Sequence, residues 1–138
     1  MSYGIYWLAT GEIDFMTYDG EEQDALRQVS EGQGVILMSE GTNSTHRVDV
    51  SVVPHVLIER PPTPSEFSLT TLPADGHTVT TLSGLPDDTW VEVESGPDRI
   101  GNTVSGDLEL DFVHPGTYRV FLSAPFPYRR SEVTINAT

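Results

Sequence analysis

Hydrophobic and polar residues alternate with a period of two through much of the chain, the pattern of half-buried β-strands. Before residue 60 the predicted strands are Tyr3–Leu8, Glu12–Tyr18, Val35–Met38 and Arg47–Val53. The turn at Ala9-Thr10-Gly11 joins the first two as a hairpin. Acidic residues at 21–24, one apolar face and Gly32 predict a single helix over residues 21–31. The first part is therefore predicted to be a small β-rich α+β part of ββαββ order.

After residue 65 the rhythm changes to short β-rich runs about ten residues apart, separated by glycine and proline turns. We predict seven strands, at Glu66–Leu72, Thr78–Leu82, Thr89–Ser95, Asn102–Val104, Asp107–Phe112, Thr117–Ser123 and Glu132–Asn136. This number and spacing are typical of an immunoglobulin-like (Ig-like) antiparallel β-sandwich. The whole protein is thus predicted to be mainly β.

Alternation also predicts which side chains face the core of this second part. Three inward rows are expected, namely Leu108-Leu110-Phe112, Tyr118-Val120-Leu122 and Val91-Val93. The second row begins just after Pro115-Gly116, so Tyr118 has the position of a tyrosine corner, whose hydroxyl bonds the backbone across a turn. Its replacement by alanine should cost about 3 to 5 kcal/mol. Trp90 is predicted to point to the opposite face.

A cluster of prolines separates the two parts at Arg60-Pro61-Pro62-Thr63-Pro64-Ser65. Proline removes backbone donors and holds the chain extended, so a sheet is not expected to continue through it. We predict a docking part at residues 1–60, a linker with few contacts at 61–65, and the sandwich at 66–138.

Charge and composition narrow the range of functions. The chain has 21 acidic residues and 7 basic ones, all arginine, for a formal charge of −14. Nucleic acid and anionic membranes need a cationic face and are disfavoured as partners. Cysteine is absent, which excludes disulfides, thiolate catalysis and cysteine-based zinc sites. The opening stretch lacks the basic and apolar regions of a secretory signal, which predicts synthesis in the cytoplasm.

No pattern of catalytic or metal-binding residues stands out. The histidines, which show no ligand spacing, are His46, His55, His77 and His114. Neither a nucleophile elbow nor a phosphate-binding glycine loop occurs. The alternating carboxylates Asp107, Glu109 and Asp111 form either a solvated face, paired with Arg119, or a row that collects Ca²⁺; Glu92 and Glu94 repeat this pattern. We therefore predict a protein without enzymatic activity or cofactor.

Apolar residues in the first part exceed what so small a core can bury. The predicted assembly contacts are Tyr3, Tyr6, Trp7, Val52, Val53, Val56, Leu57 and Ile58. Pro54 interrupts the valine-rich run and makes a central strand unfavourable there. In the second part, Trp90 together with Tyr118 or Tyr128 is the candidate stacking surface for a sugar.

Two stretches resemble a known group of proteins. Thr45-His46-Arg47-Val48-Asp49, followed by Arg60-Pro61-Pro62-Thr63-Pro64, is similar to the T-H-Y-V-D and R-P-x-x-P signature of small proteins encoded among the tail genes of tailed bacteriophages. Arg47 stands where that signature has tyrosine. Residues 79–86 and 108–120, with Pro115-Gly116-Thr117-Tyr118, resemble the Ig-like domains appended to phage structural proteins.

The resemblance implies a virion structural protein with no catalytic residues. It would be attached to the tail, a fibre or the baseplate, in multiple copies, with other virion proteins as partners and an Ig-like module facing outward toward the assembly or a host-surface glycan. A capsid decoration protein and a carbohydrate-binding module are the alternatives. Many copies on one particle would let weak contacts act together.

Overall fold

Strands make up most of the regular structure of the computed structural model, which describes residues 1–18 and 20–138. The elements are β1 (Tyr3–Trp7), β2 (Ile13–Thr17), α1 (Glu22–Leu26), β3 (Gln33–Leu37), β4 (His46–Asp49), β5 (Val56–Glu59), β6 (Thr71–Leu72), β7 (Thr80–Ser95), β8 (Asp98–Leu110), β9 (Gly116–Ser123) and β10 (Ser131–Ala137). The mainly-β prediction is confirmed. The chain divides into two compact units, Met1–Pro61 (unit 1) and Pro62–Thr138 (unit 2).

Unit 1 contains a three-stranded sheet of order β2-β1-β3 and a separate two-stranded sheet of β4 and β5, all antiparallel. The predicted first hairpin is confirmed. Strand β5 was not predicted; it pairs with β4, with Leu57 opposite Val48. The core of unit 1 is small. One buried cluster consists of Tyr6, Ile13, Met38 and Val48, and Ile5 and Ala25 are also fully buried.

The turn between β1 and β2 is tied to β4 at a position that only glycine can occupy. Gly11 has φ +81°, and a Cβ built on it would lie 1.9 Å from the carbonyl oxygen of Val48. The Val48 N–H in turn donates to the Gly11 carbonyl at 2.9 Å. Backbone approach, rather than side-chain packing alone, therefore joins the two sheets of unit 1.

Helix α1 is shorter than predicted, with five residues in place of the expected 21–31. Of its apolar face only Ala25 is buried, and Leu26 remains 54% exposed, so little packing stabilises a longer helix. The side chain of Gln33 also accepts the N–H of Ser30 at 3.0 Å, an amide that a continuing helix would need.

Unit 2 is built on one five-stranded sheet of order β6-β10-β9-β7-β8, with a β-sandwich-like fold. The prediction of seven strands was wrong in detail, because β7 and β8 each continue through a predicted turn. Strand β7 does so by two register shifts, next to Gly84 at φ +80° and Asp88 at φ +61°. Such bulges bend a strand without ending it. The predicted strand at 66–72 keeps only Thr71–Leu72.

The bulges let both halves of β7 contribute to one core. The buried residues include Leu82 and Leu85 from its first half and Val91 from its second, together with Val120 and Leu122 of β9. All three predicted inward rows point into this core. Trp90 lies on the outer face, as predicted, with 43% of its surface exposed.

Tyr118 takes the predicted corner role. Its hydroxyl donates to the carbonyl oxygen of His114 at 2.7 Å, across the turn before β9. Its ring packs against Phe112, with the ring centroids 4.4 Å apart. The side chain is half-buried rather than fully enclosed, so it closes the edge of the core.

The prediction of a linker with few contacts was wrong, because Thr63 is anchored in unit 2. Thr63 is 1% exposed, and its N–H donates to the carbonyl of Arg129 at 2.9 Å. Its hydroxyl donates to the same carbonyl at 2.7 Å and accepts the N–H of Ala124 at 3.1 Å. The Ser131 hydroxyl donates to the Thr63 carbonyl at 2.6 Å. The proline cluster does stop the sheet, since β5 ends at Glu59 and the next strand begins at Thr71.

Candidate binding face

The outer face of the unit 2 sheet carries charged and aromatic side chains from neighbouring strands. Strand β7 presents Trp90, Glu92 and Glu94 on this face, opposite Ser123, Phe121 and Arg119 of β9. Strand β8 adds Arg99, opposite Glu94, and β10 adds Glu132, opposite Phe121. We call these residues, with Arg130, the outer face.

Phe121 lies at the centre of the outer face and is covered by arginines. The Cζ atoms of Arg99, Arg119 and Arg130 lie 5.2, 5.0 and 4.3 Å from the centre of its ring. Phe121 is 6% exposed even though it points away from the core. The arginine side chains therefore bury an aromatic ring on a solvent-facing surface, and cation–π attraction holds the guanidinium groups near it.

Glutamates fix two of these arginines. Arg99 donates to Glu92 at 3.2 Å and to Glu94 at 2.5 Å, and these bonds raise the pKa of Arg99, chiefly through Glu94. Arg119 donates to Glu132 from Nε at 2.8 Å and from Nη2 at 2.6 Å. The same arginine lies 3.8 Å from Glu94.

These ion pairs correct the expectation that Arg119 pairs with the carboxylates of residues 107–111. Strand β7 separates β9 from β8, so Arg119 reaches Glu94 on its direct neighbour instead. Asp107, Glu109 and Asp111 remain exposed. Within residues 1–18 and 20–138, no group of three or more histidine, aspartate or glutamate side chains is arranged to hold a metal ion.

Trp90 extends the outer face with a flat aromatic surface. A Cβ built on Gly101 would lie 2.4 Å from Cζ2 and 3.0 Å from Cη2 of Trp90, so the indole rests on the backbone of β8 at Gly101. The indole N–H donates to Glu92 at 2.8 Å, which fixes the orientation of the ring. One face of the ring is therefore occupied by the sheet, and the other is open to solvent.

The partners predicted for Trp90 do not lie beside it. Tyr118 belongs to the inward row of β9 and packs in the core, on the other side of the sheet. Tyr128 is half-buried in the loop before β10, and no ring contact between it and Trp90 occurs in the described part of the chain. The stacking surface is therefore the ring of Trp90, on the same face as the arginines that cover Phe121.

A shallow groove of about 470 Å³ runs beside this cluster. It is lined by Arg99, Arg119, Phe121, Arg130, Ser131 and Glu132. Arg130 lies over Phe121 and, as far as the described residues show, pairs with no carboxylate. Its hydrogen-bond donors are therefore open to a ligand in the groove.

Unit 1 exposes some of its predicted assembly contacts and buries others. Exposure is highest at Val53, at 94%, with Val52 at 40%, Val56 at 48% and Trp7 at 38%. The remaining predicted contacts Tyr3, Leu57 and Ile58 are half-buried.

The prediction of Tyr6 as an assembly contact was wrong, because Tyr6 is only 5% exposed and belongs to the core of unit 1. Its hydroxyl bonds Nδ1 of His55 at 2.7 Å, and burial raises the pKa of the Tyr6 phenol. Its neighbour Trp7 faces outward, as strand alternation requires.

The comparisons with known proteins give no match. No family model matches the chain, and neither a curated protein nor a solved structure shows significant similarity to it. No helix among the described residues is long and apolar enough to cross a membrane. The virion role therefore stays a prediction based on the two sequence motifs.

The arginine cluster was missed at the level of sequence, although a signal for it was present. The inward row of β9 implies that Arg119 and Phe121 share the opposite face, as Glu92 and Glu94 do on β7. Alternation does not predict the register that aligns these rows. It also does not predict that Arg99 approaches from β8 and Arg130 from the loop before β10.

Proposed function

We propose that the protein is a non-enzymatic bacteriophage virion structural protein associated with the tail, a fibre attachment site or the baseplate. Unit 1 docks onto other virion proteins, and unit 2 carries the outward binding face. The protein works in multiple copies on the particle, made in the host cytoplasm and incorporated during assembly.

The observation that carries this proposal is the apolar tip of the hairpin between β4 and β5. Val52, Val53 and Pro54 are all exposed there, and Val56 follows them. Single exposed valines are common on protein surfaces, but adjacent apolar residues at the end of a hairpin are typical of a contact surface.

The tip is also held in shape. The carboxylate of Asp49 accepts the N–H of Ser51 at 3.0 Å and also its hydroxyl, and these bonds lower the pKa of Asp49. Below the tip, Val48 is fully buried in the core. A contact surface that is already ordered loses less conformational entropy on binding.

The two phage-like motifs support the same assignment, because they meet in this hairpin. The first motif, Thr45 to Asp49, spans β4. The second motif begins at Arg60, whose N–H donates to the carbonyl oxygen of Thr45 at 2.7 Å. The hydroxyl of Thr45 also bonds Nδ1 of His46 at 2.8 Å. The motif residues thus form the base of the hairpin whose tip is exposed.

Mixing experiments with purified virion proteins test the docking role. Mass photometry should show the intact chain bound to one of the candidate tail, baseplate or capsid proteins. Val53→Ser should weaken that binding about tenfold or more, since it removes apolar area at a central contact. Val113→Ser is the matched control, because Val113 is 67% exposed but lies in unit 2.

A chain that binds none of these proteins, or that loses binding equally with both variants, would contradict the docking role of the hairpin. Antibody labelling of intact particles separates the tail-associated role from capsid decoration. Label at the tail supports the proposal, whereas label distributed over the capsid supports the alternative.

A further inference from the structure

Trp90 and the arginine cluster form one continuous surface. Trp90 faces Ser123 on β9, and the preceding residue Leu122 faces Ser131 on β10, next to Arg130. Trp90 and Arg130 are thus separated by two interstrand spacings, about 10 Å. Ser123 lies between them, and Glu92 and Phe121 form the adjacent row of the same face. A ligand with a few linked rings can touch both ends.

We propose that the outer face binds an oligosaccharide that carries carboxylate groups, with Trp90 stacking on a sugar ring and Arg130 binding a carboxylate. This inference deepens the proposed function, since it names the ligand of the outward unit. The binding itself requires only unit 2 and does not depend on the partner of unit 1.

The indole of Trp90 suits a sugar ring because it is flat, open on one side and fixed in place. The sheet at Gly101 supports its lower face, and the bond to Glu92 prevents rotation. Aromatic rings offer a large apolar surface at a low entropic cost. Glu92 and Glu94 have remaining lone pairs, so they can also accept hydrogen bonds from sugar hydroxyls.

The carboxylate specificity comes from Arg130. A guanidinium group matches the geometry of a carboxylate and donates two parallel hydrogen bonds to it. Arg99 and Arg119 already have glutamate partners, whereas Arg130 stacks on Phe121 without one in the described residues. The guanidinium group of Arg130 is thus held over the ring, and its N–H groups can donate to a ligand carboxylate.

The balance of charge on the outer face argues against nucleic acid as the ligand. Glu92, Glu94 and Glu132 lie among the three arginines, and the whole chain carries −14. Nucleic acid, with one charge per phosphate, would meet these glutamates and the field of the whole protein. A short acidic glycan needs only one of its carboxylates to meet Arg130, and its sugar rings supply apolar faces for Trp90.

The test is calorimetric titration of the full chain with defined oligosaccharides. An oligomer of galacturonic acid and an oligomer of sialic acid represent the two sources of sugar carboxylates. The methyl ester of the galacturonate oligomer has the same rings without charge. We expect one of the two acidic oligomers to bind. If it is the galacturonate oligomer, its methyl ester should bind at least tenfold more weakly than the acid. If the binder is the sialic acid oligomer, its carboxyl-reduced form takes the place of the ester.

Three variants assign the binding to the outer face. Trp90→Ala and Arg130→Gln should each weaken binding about tenfold or more, whereas Trp90→Phe should retain most of it. Arg27→Gln is the control for charge, because Arg27 is an exposed arginine of unit 1. It should bind the glycan like the original chain.

Several results would overturn the inference. These are failure of both acidic oligomers to bind at millimolar concentration, equal binding of the charged and uncharged forms, or an unchanged affinity in Trp90→Ala. Binding of a glutamate-rich peptide in preference to the glycans would also overturn it, in favour of a peptide ligand. Val53→Ser should leave glycan binding intact, and Trp90→Ala should leave docking intact, so failure of one proposal is distinguishable from failure of the other.

Discussion

The outer face of unit 2 and the hairpin tip of unit 1 differ in how their apolar residues are covered. Unit 2 places Phe121 on its outer face and then covers the ring with its own arginine side chains, so only 6% of the residue stays exposed. Unit 1 has the apolar tip at Val52 and Val53 and leaves it uncovered, with Val53 at 94% exposure. Our two proposals rest on this difference: an apolar partner for the hairpin tip of unit 1, and a polar, charged ligand for the outer face of unit 2.

Core size accounts for part of this contrast. The buried hydrophobic residues of unit 1 are few, namely Ile5, Tyr6, Ile13, Ala25, Met38 and Val48, whereas the buried cluster of unit 2 draws on strands β6 to β10. Small domains bury a lower fraction of their surface, so unit 1 has less apolar burial to stabilise it. A partner at the hairpin tip would add apolar burial to the smaller unit.

The largest predicted effect comes from truncating each core. Leu122→Ala in unit 2 and Ile5→Ala in unit 1 each remove a side chain that is 0% exposed. Each should lower the free energy of unfolding of its own unit by about 2 to 5 kcal/mol, through lost burial and the cavity left behind. Because unit 1 has the smaller core, we expect unit 1 of the Ile5→Ala variant to unfold at a lower denaturant concentration than unit 2 of the Leu122→Ala variant.

The two tryptophans make this comparison measurable, since one lies in each unit. In a Trp7→Phe background, fluorescence reports unit 2 through Trp90; in a Trp90→Phe background it reports unit 1 through Trp7. Each alanine variant should shift the denaturation curve of one reporter only. Equal shifts of both reporters would show that the units unfold together and would remove the basis for comparing them.

Local patterns in the sequence predicted the parts of the fold that depend on neighbouring residues. Alternation gave the inward rows of β7, β8 and β9 and the outward position of Trp90, because strand geometry alone decides them. The corner role of Tyr118 followed from its place after Pro115-Gly116. Strand β5 was missed, because Pro54 and the exposed valines before it obscured a short run that pairs only with β4.

Features that depend on contacts between distant residues were not predictable in this way. The sequence at Gly84 and Asp88 predicts a turn, although the structure has bulges of β7 there. Residues with positive φ occur in both turns and bulges, so the sequence does not distinguish them. The convergence of arginines on Phe121 needs the register of four strands. The proline cluster resembled a free linker, because the bonds of Thr63 go to residues more than sixty positions away.

A substitution at Thr63 tests whether residues 62–64 belong to unit 2. Thr63→Val keeps the shape of the side chain but removes the hydroxyl, leaving the N–H of Ala124 without its acceptor. The variant should lose about 1 to 3 kcal/mol of unfolding free energy, the usual cost of an unpaired buried group. Urea denaturation followed by Trp90 fluorescence measures it.

The control for Thr63→Val is Thr103→Val, at an exposed threonine of β8. This change should alter the stability by no more than about 0.5 kcal/mol. If Thr63→Val is equally neutral, residues 62–64 act as a linker after all, and unit 2 begins later than the structure indicates.

The smallest predicted effect concerns pH and compares one carboxylate in each unit. Asp75 in unit 2 accepts the N–H groups of His77 and Thr78, at 2.8 and 2.7 Å, and the Thr78 hydroxyl at 2.9 Å. These bonds, those to Thr78 first, lower its pKa from 3.8 to about 2. Asp49 in unit 1 is held in the same way by Ser51, and its pKa is also lowered.

A carboxyl group whose pKa is lower in the folded state stabilises that state above its unfolded pKa, and the contribution disappears as the pH falls through the folded value. Asp75→Asn should therefore destabilise unit 2 at pH 6, and its difference from the original chain should shrink as the pH falls from about 4 toward 2. Asp49→Asn should do the same for unit 1, detected through Trp7. Urea midpoints measured across this pH range give both differences. A difference that stays constant with pH would mean that the turn at Asp75 depends on the shape of the side chain and not on its charge.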